Sequence, residues 1–277
     1  MARAKSGASL RETRRPIGVF DSGLGGLTIV RQIRRSLPHE DIIYFGDLAR
    51  LPYGTKSKEQ IIQFSIQNTF FLLKQRIKTL VIACNSSASA AYPFISRNFN
   101  LPVVEVIEPA VKAAYQASKT KRIGLVATSA TIESRAYEKA FLKLDDQIQL
   151  FTSPCPLFVP LVEEGWFLGE IPEKIAGNYL APIISRKIDS LILGCTHYPL
   201  LTETIKKVLG NKIHLIDSVI PTVQKLEKIL DANQLRSPAQ RDGKLKVFVS
   251  DKPRNFVRVG EQFLGERISQ VDVVRHK

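Results

Sequence analysis

The chain has 277 residues, with 40 lysines and arginines against 26 aspartates and glutamates, which gives a formal net charge of +14. Hydrophobic residues make up 44% and charged residues 24%, so the chain can bury a core and is neither disordered nor fibrous. Its apolar runs are too short to cross a membrane, and its basic start lacks the apolar stretch of a secretory signal.

The positive charge is spread along the chain rather than concentrated. Residues 1–15 and residues 241–277 each hold a net charge of +4, which leaves +6 for the middle. The sequence has no long block of like charge and no basic segment interleaved with aromatic residues, so the charge favours a solvated surface over a nucleic-acid footprint. We predict a flexible basic tail over residues 1–14, and we expect neither a nucleic-acid partner nor a membrane partner.

From residue 15 onward, short β-branched runs alternate with segments of helical period. This order is typical of a doubly wound α/β protein with parallel strands. Eight strands are predicted, over residues 17–20, 42–45, 79–84, 103–107, 123–127, 149–152, 190–194 and 213–216. The clearest helix is predicted over residues 57–75, with Ser57 as its N-cap and an apolar stripe that includes Ile61 and Phe70.

A weak internal repeat indicates two similar halves. KTLVIACNSSASA at 78–90 returns as DSLILGCTHYPLL at 189–201, so the cysteines at 84 and 195 lie 195 − 84 = 111 residues apart. RPIGVFDS at 15–22 likewise resembles KRIGLVAT at 121–128. We therefore predict two similar doubly wound α/β domains with parallel sheets and an active-site cleft between them. The first would comprise residues 15–108 plus 220–277, and the second residues 109–219.

The three cysteines are an odd number without a C-x-x-C pair, which favours a reducing cytoplasm and no metal site. Cys84 and Cys195 each follow a predicted strand, where ligands bind in open α/β sheets, so each side of the cleft would offer one thiol. Each also precedes a predicted helix, whose positive end would lower the thiol pKa. Cys155, between two prolines, has no such context and is interpreted as structural.

Polar residues surround these strand ends. The glycine-rich loop after Asp21 departs from G-x-G-x-x-G because Thr28 holds the third glycine position, so it suits a small carboxylate better than a dinucleotide. Asp21 itself is interpreted either as an N-cap or as a group that orients a neighbour. His197 could assist proton transfer beside Cys195, while Glu163 is expected on a helix surface unless the fold turns it inward.

Five motifs taken together carry a more specific signal. They are IGVFDSGLGGLT at 17–28, GDLARLPYG at 46–54, VIACNSSASA at 81–90, CPLFVPLVEEG at 155–165 and LILGCTHYPLL at 191–201. In this order they resemble the glutamate racemases of bacterial cell-wall synthesis, within the aspartate/glutamate racemase family. The resemblance covers residues from about 15 to 220.

The resemblance implies a cytoplasmic, homodimeric enzyme that interconverts L- and D-glutamate without a cofactor or metal and supplies D-glutamate for peptidoglycan. It implies that Cys84 acts on D-glutamate and Cys195 on L-glutamate. Asp21, Glu163 and His197 would assist these thiols. The implied substrate contacts are Asp21, Ser22, Tyr53, Gly54, Asn85, Ser86, Thr196 and His197.

Other functions remain open on the sequence. The same fold could serve an aspartate racemase, or a related isomerase or decarboxylase. A two-lobed binding protein for small acidic ligands would need no reactive thiols. An interaction role through the basic ends would rest on charge alone.

Overall fold

The computed structural model describes residues 9–252 and 256–274. Its strands are β1 (Ile17–Asp21), β2 (Ile42–Gly46), β3 (Thr79–Ile82), β4 (Val103–Glu105), β5 (Arg122–Ala127), β6 (Gln149–Pro154), β7 (Ser190–Gly194), β8 (His214–Ile216), β9 (Leu245–Val249) and β10 (Val271–Val273). The helices are α1 (Leu10–Thr13), α2 (Leu27–Ser36), α3 (Lys58–Lys74), α4 (Asn85–Asn98), α5 (Ile107–Ala117), α6 (Ser129–Glu133), α7 (Ala136–Leu142), α8 (Phe158–Glu163), α9 (Glu170–Ile184), α10 (Thr202–Leu209), α11 (Val219–Ala232) and α12 (Phe256–Leu264). Among these helices, none has the length and apolarity needed to span a membrane.

The strands form two parallel sheets. The first has the order β10-β9-β2-β1-β3-β4 and the second the order β6-β5-β7-β8. The order 2-1-3-4 of the first four strands thus recurs as 6-5-7-8, as the internal repeat predicts. The fold class of two similar, doubly wound α/β halves is confirmed. We call residues 17–105 and 245–273, which supply the six-stranded sheet, the first unit, and residues 122–216, which supply the other, the second unit.

The central strands are buried along their whole length because helices cover both faces of the sheets. Every residue of β1, β2, β3 and β7 is buried, and their sequences are almost continuously apolar, as parallel strands require. Since all strands run the same way, the carboxyl ends of β1 and β3 lie side by side, and so do those of β5 and β7. This arrangement brings the segments after these four strands to one edge of each sheet.

The sequence predicted eight strands, and all eight are present. It missed β9, which pairs with β2 from Ile42↔Leu245 to Gly46↔Val249, and the three-residue β10 beside it. These strands are short and lie in a charge-rich segment. Their position depends on pairing with β2, which is distant in the sequence. β3 ends earlier than predicted because Cys84 takes the N-cap position of α4. The domain boundaries remain a prediction.

Two local features differ from the sequence expectations. Within the predicted tail, Ser9 caps α1 through a capping box, while residues 1–8 lie outside the described part of the chain. In α3 the predicted N-cap Ser57 accepts a hydrogen bond from the Gln60 amide, yet Phe70 is 52% exposed. Ser65 and Thr69 are buried instead, because their hydroxyls donate to carbonyl groups one turn earlier in the helix.

Candidate active site

A small cavity lies where the carboxyl edges of the two sheets face each other. The first unit lines it with Ser22, Leu51, Pro52, Tyr53, Gly54, Cys84, Asn85 and Ser86, and the second with Thr128, Val159, Cys195, Thr196 and His197. The volume is about 20 Å³, which is room for about one or two water molecules. An amino acid is larger, so the two walls must separate for such a ligand to enter.

The structure brings nine of the ten predicted site residues to this cavity; Asp21 lies behind its wall. Asp21 is fully buried, and its Oδ2 accepts hydrogen bonds from the amides of Gly23 at 3.2 Å and Gly26 at 3.1 Å. Thr196 of the second unit donates to Oδ1 at 3.5 Å. The N-cap interpretation of Asp21 is wrong, because Gly26 takes the N-cap position of α2. The carboxylate instead holds the glycine-rich loop and contacts Thr196 across the cleft.

Cys84 occupies the N-cap position of α4, and its Sγ donates to Ser22 Oγ at 3.4 Å. Burial and the negative charge of Asp21 raise the pKa of this thiol to about 11, against the smaller lowering by hydrogen bonds with Ser22 and the Ser87 amide. The expected lowering of the Cys84 pKa is thus wrong, because desolvation outweighs the helix N-terminus. In this closed arrangement Cys84 is a protonated thiol at neutral pH.

Cys195 has a different electrostatic neighbour. Its Sγ lies 3.9 Å from His197 Nδ1, and His197 Nε2 lies 3.3 Å from Glu163 Oε1 at the end of α8. Burial lowers the pKa of His197, but Cys195 and Glu163 outweigh it and raise the pKa to about 10. The fold therefore turns Glu163 inward, the exception that the sequence analysis allowed, and places an imidazolium beside the second thiol.

Sequence reasoning missed Thr128 and Thr131. Thr128 lines the cavity and caps α6, and its hydroxyl lies 3.0 Å from those of Ser86 and Thr131. The repeat contained the signal for Thr128: 128 − 22 = 106 is also the offset between Gly18 and Gly124, so Thr128 is the counterpart of Ser22. Thr131 follows within the next helix and has no such marker.

The raised pKa of His197 predicts a pH-dependent contribution to stability. The ordinary pKa is about 6.5, so the contribution is fully present below that pH and is lost as the pH rises towards the folded value of about 10. The difference in free energy of unfolding between the wild type and His197→Gln should therefore shrink by about 1–3 kcal/mol between pH 7 and pH 9. Urea unfolding of both proteins at the two pH values measures it. An unchanged difference would contradict the assignment of the charge to His197.

The fold and the cavity together define a protein with two α/β lobes that line one small cavity with a buried thiol from each side. A family model described as Asp/Glu/Hydantoin racemase matches residues 26–226. The chain therefore belongs to the Asp/Glu/Hydantoin racemase family.

Individual relatives agree with this assignment. The chain is 43% identical over 255 residues to a glutamate racemase of Geobacter metallireducens, covering 92% of this chain and 94% of the relative. It is 44% identical over 262 residues to one from Neisseria meningitidis serogroup A, covering 94% and 97%. The crystal structure of the Francisella tularensis glutamate racemase in complex with D-glutamate superposes with a TM-score of 0.90 at 40% identity, covering 95% of this chain and 98% of that chain.

Proposed function

We propose that this protein is a glutamate racemase that moves the Cα proton of glutamate between two thiols. The observation that carries the proposal is the placement of Cys84 and Cys195 after equivalent strands, β3 and β7, of two similar sheets, on the wall of one cavity. Racemisation must remove a proton from one face of a carbon and return one to the other. One thiol on each wall meets that requirement.

The electrostatics of the two walls suit the direction from L- to D-glutamate. In this direction Cys195 acts as the thiolate base, with the charged imidazole of His197 at 3.9 Å stabilising its negative charge. Cys84, whose pKa is raised by burial and by Asp21, supplies the proton on the opposite face. The roles exchange for the reverse reaction, in which Cys84 acts on D-glutamate.

The carbanion formed at Cα needs hydrogen-bond donors at the α-carboxylate, where its charge develops. Ser22, Asn85, Ser86 and Thr196 line the cavity with groups of this kind. The hydroxyl of Tyr53 is bonded to Asp47 instead, so we infer that the Tyr53-Gly54 loop contributes through its backbone. The protein's own groups thus supply the acid, the base and the charge stabilisation, and the proposed reaction needs no cofactor or metal.

The proposal also covers the compartment, the oligomeric state and the biological role of the enzyme. Like the glutamate racemases that it resembles, the protein would act in the cytoplasm as a homodimer and supply D-glutamate for peptidoglycan. Its second candidate substrate is aspartate, which the family description also names.

Circular dichroism of the purified, reduced protein with L-glutamate and with L-aspartate tests the proposal. We expect the signal of L-glutamate to decay to that of the racemate without added cofactor. The signal of L-aspartate should decay about 10- to 200-fold more slowly, since one methylene changes discrimination by that factor. If the aspartate signal decayed faster than the glutamate signal, aspartate rather than glutamate would be the substrate. An unchanged signal with both would contradict racemase activity.

A further inference from the structure

A buried tyrosine of the second unit contacts a cavity residue of the first. Tyr137 on α7 is 0% exposed, and its hydroxyl donates a hydrogen bond to Asn85 Oδ1 at 2.7 Å. Asn85 is the first residue of α4 and lines the cavity, whereas Tyr137 does not reach it. The bond joins the two units directly behind the site.

In this bond the oxygen end of the Asn85 amide faces Tyr137. Asn85 is 2% exposed, and its Nδ2 has no hydrogen-bond partner among the described residues. A buried donor without a partner is unfavourable and uncommon in native structures, so it calls for an explanation. A ligand that accepts hydrogen bonds in the cavity would provide the missing partner.

We propose that Tyr137 is a positioning residue, which holds Asn85 so that its Nδ2 donates to the α-carboxylate of the substrate. The inference rests on the proposed racemase function. With Oδ1 engaged by Tyr137, the carboxylate meets the amide N–H groups rather than a carbonyl oxygen that would repel it. Because negative charge grows on the carboxylate as the Cα proton leaves, the donor acts more strongly in the transition state than on bound substrate.

Tyr137→Phe should therefore lower kcat by about 10- to 100-fold, with a change in KM of less than about threefold. The ring and its packing stay, and only the hydroxyl is removed. Tyr198→Phe is the matched control: Tyr198 is also 0% exposed in the second unit, and its hydroxyl donates to the Cys155 carbonyl at 3.0 Å, away from Asn85. That variant should keep kcat within about twofold of the wild-type value.

A double-mutant cycle separates positioning from a general loss of stability. Tyr137→Phe in an Asn85→Ala background should cause no further loss of kcat, because the hydroxyl acts only through the amide. The same loss in both backgrounds would overturn the proposal, as would a Tyr137→Phe enzyme with wild-type kcat. Thermal unfolding of each variant shows whether it is folded at the assay temperature. A variant that is unfolded there is assayed at a lower temperature.

Asn85→Asp tests the orientation of the amide. A carboxylate at this position would keep one oxygen on Tyr137 and turn the other towards the substrate carboxylate. We expect it to lose at least as much activity as Asn85→Ala. Higher activity than that of Asn85→Ala would mean that the wild-type amide turns its oxygen, not its nitrogen, towards the substrate. That result would overturn the proposed orientation. Absence of glutamate racemisation by the wild type would instead remove the proposed function itself.

Discussion

Replacing either cavity thiol by a hydroxyl is expected to lower glutamate racemisation in both directions by about 10³-fold. In Cys84→Ser and Cys195→Ser the side chain keeps nearly its size, but an alcohol is neither ionised nor acidic enough to exchange the Cα proton near neutral pH. One working thiol cannot reach both faces of the carbon, so each variant fails in both directions. Initial rates from each enantiomer by circular dichroism measure the effect.

The third cysteine provides the matched control. Cys155 is fully buried, and its Sγ donates to the Ser153 carbonyl at 3.5 Å, a contact that a serine hydroxyl can also make. It does not line the cavity. Cys155→Ser should therefore keep its kcat within about twofold, at a cost of about 1–2 kcal/mol in the free energy of unfolding. Racemisation at the wild-type rate by Cys84→Ser or Cys195→Ser would contradict the two-thiol mechanism.

Gly25→Ala should have the second largest effect, because Gly25 lies against the opposite wall of the cleft. A Cβ on this residue would overlap Thr196 Oγ1 and would lie 2.8 Å from His197 Nδ1. The added methyl group would hold the two units apart and displace the imidazole beside Cys195. We expect kcat/KM for glutamate to fall by about 100-fold, since a misplacement of 1 Å can have that effect.

A second glycine separates this contact from a general effect of glycine replacement. Gly177 lies within α9, and outside its own stretch of helix none of the described residues has an atom within 4 Å of where a Cβ would stand. Gly177→Ala should leave kcat/KM unchanged and raise the free energy of unfolding by about 0.5–1 kcal/mol, since alanine favours the helix. Equal kinetic losses in both variants, or none in Gly25→Ala, would show that closure does not depend on the contact with Thr196 and His197.

The sequence contained most of the fold because its signals were local and occurred twice. Strand ends with a cysteine and a polar residue marked Cys84 and Cys195, and their repetition indicated two facing sheets. The pKa of Cys84 could not be obtained in this way. It depends on burial and on Asp21, which lies 63 positions earlier (84 − 21) and approaches only through the β1–β3 pairing.

Other parts of the site depend on contacts between distant segments. The inward turn of Glu163 depends on its contact with His197, which lies in another element. The bond from Tyr137 to Asn85 depends on the approach of the two units. The strand β9 shows only a short alternating pattern, and its place beside β2 follows from an edge of the sheet that no local pattern reveals. Thr128 differs from these, because the offset of the repeat already marked it as the counterpart of Ser22.

The central claim, that two separate thiols handle the proton, is tested most directly by racemisation of L-glutamate in heavy water. Mass and proton spectra of both enantiomers are taken before about one tenth has reacted. We predict that the D-glutamate formed carries solvent deuterium at Cα, whereas the remaining L-glutamate keeps its proton. The thiol that protonates the product face has exchanged with solvent, while the thiol that removed the proton can return only that proton. D-glutamate that retains the original proton would show transfer by a single base and contradict the account.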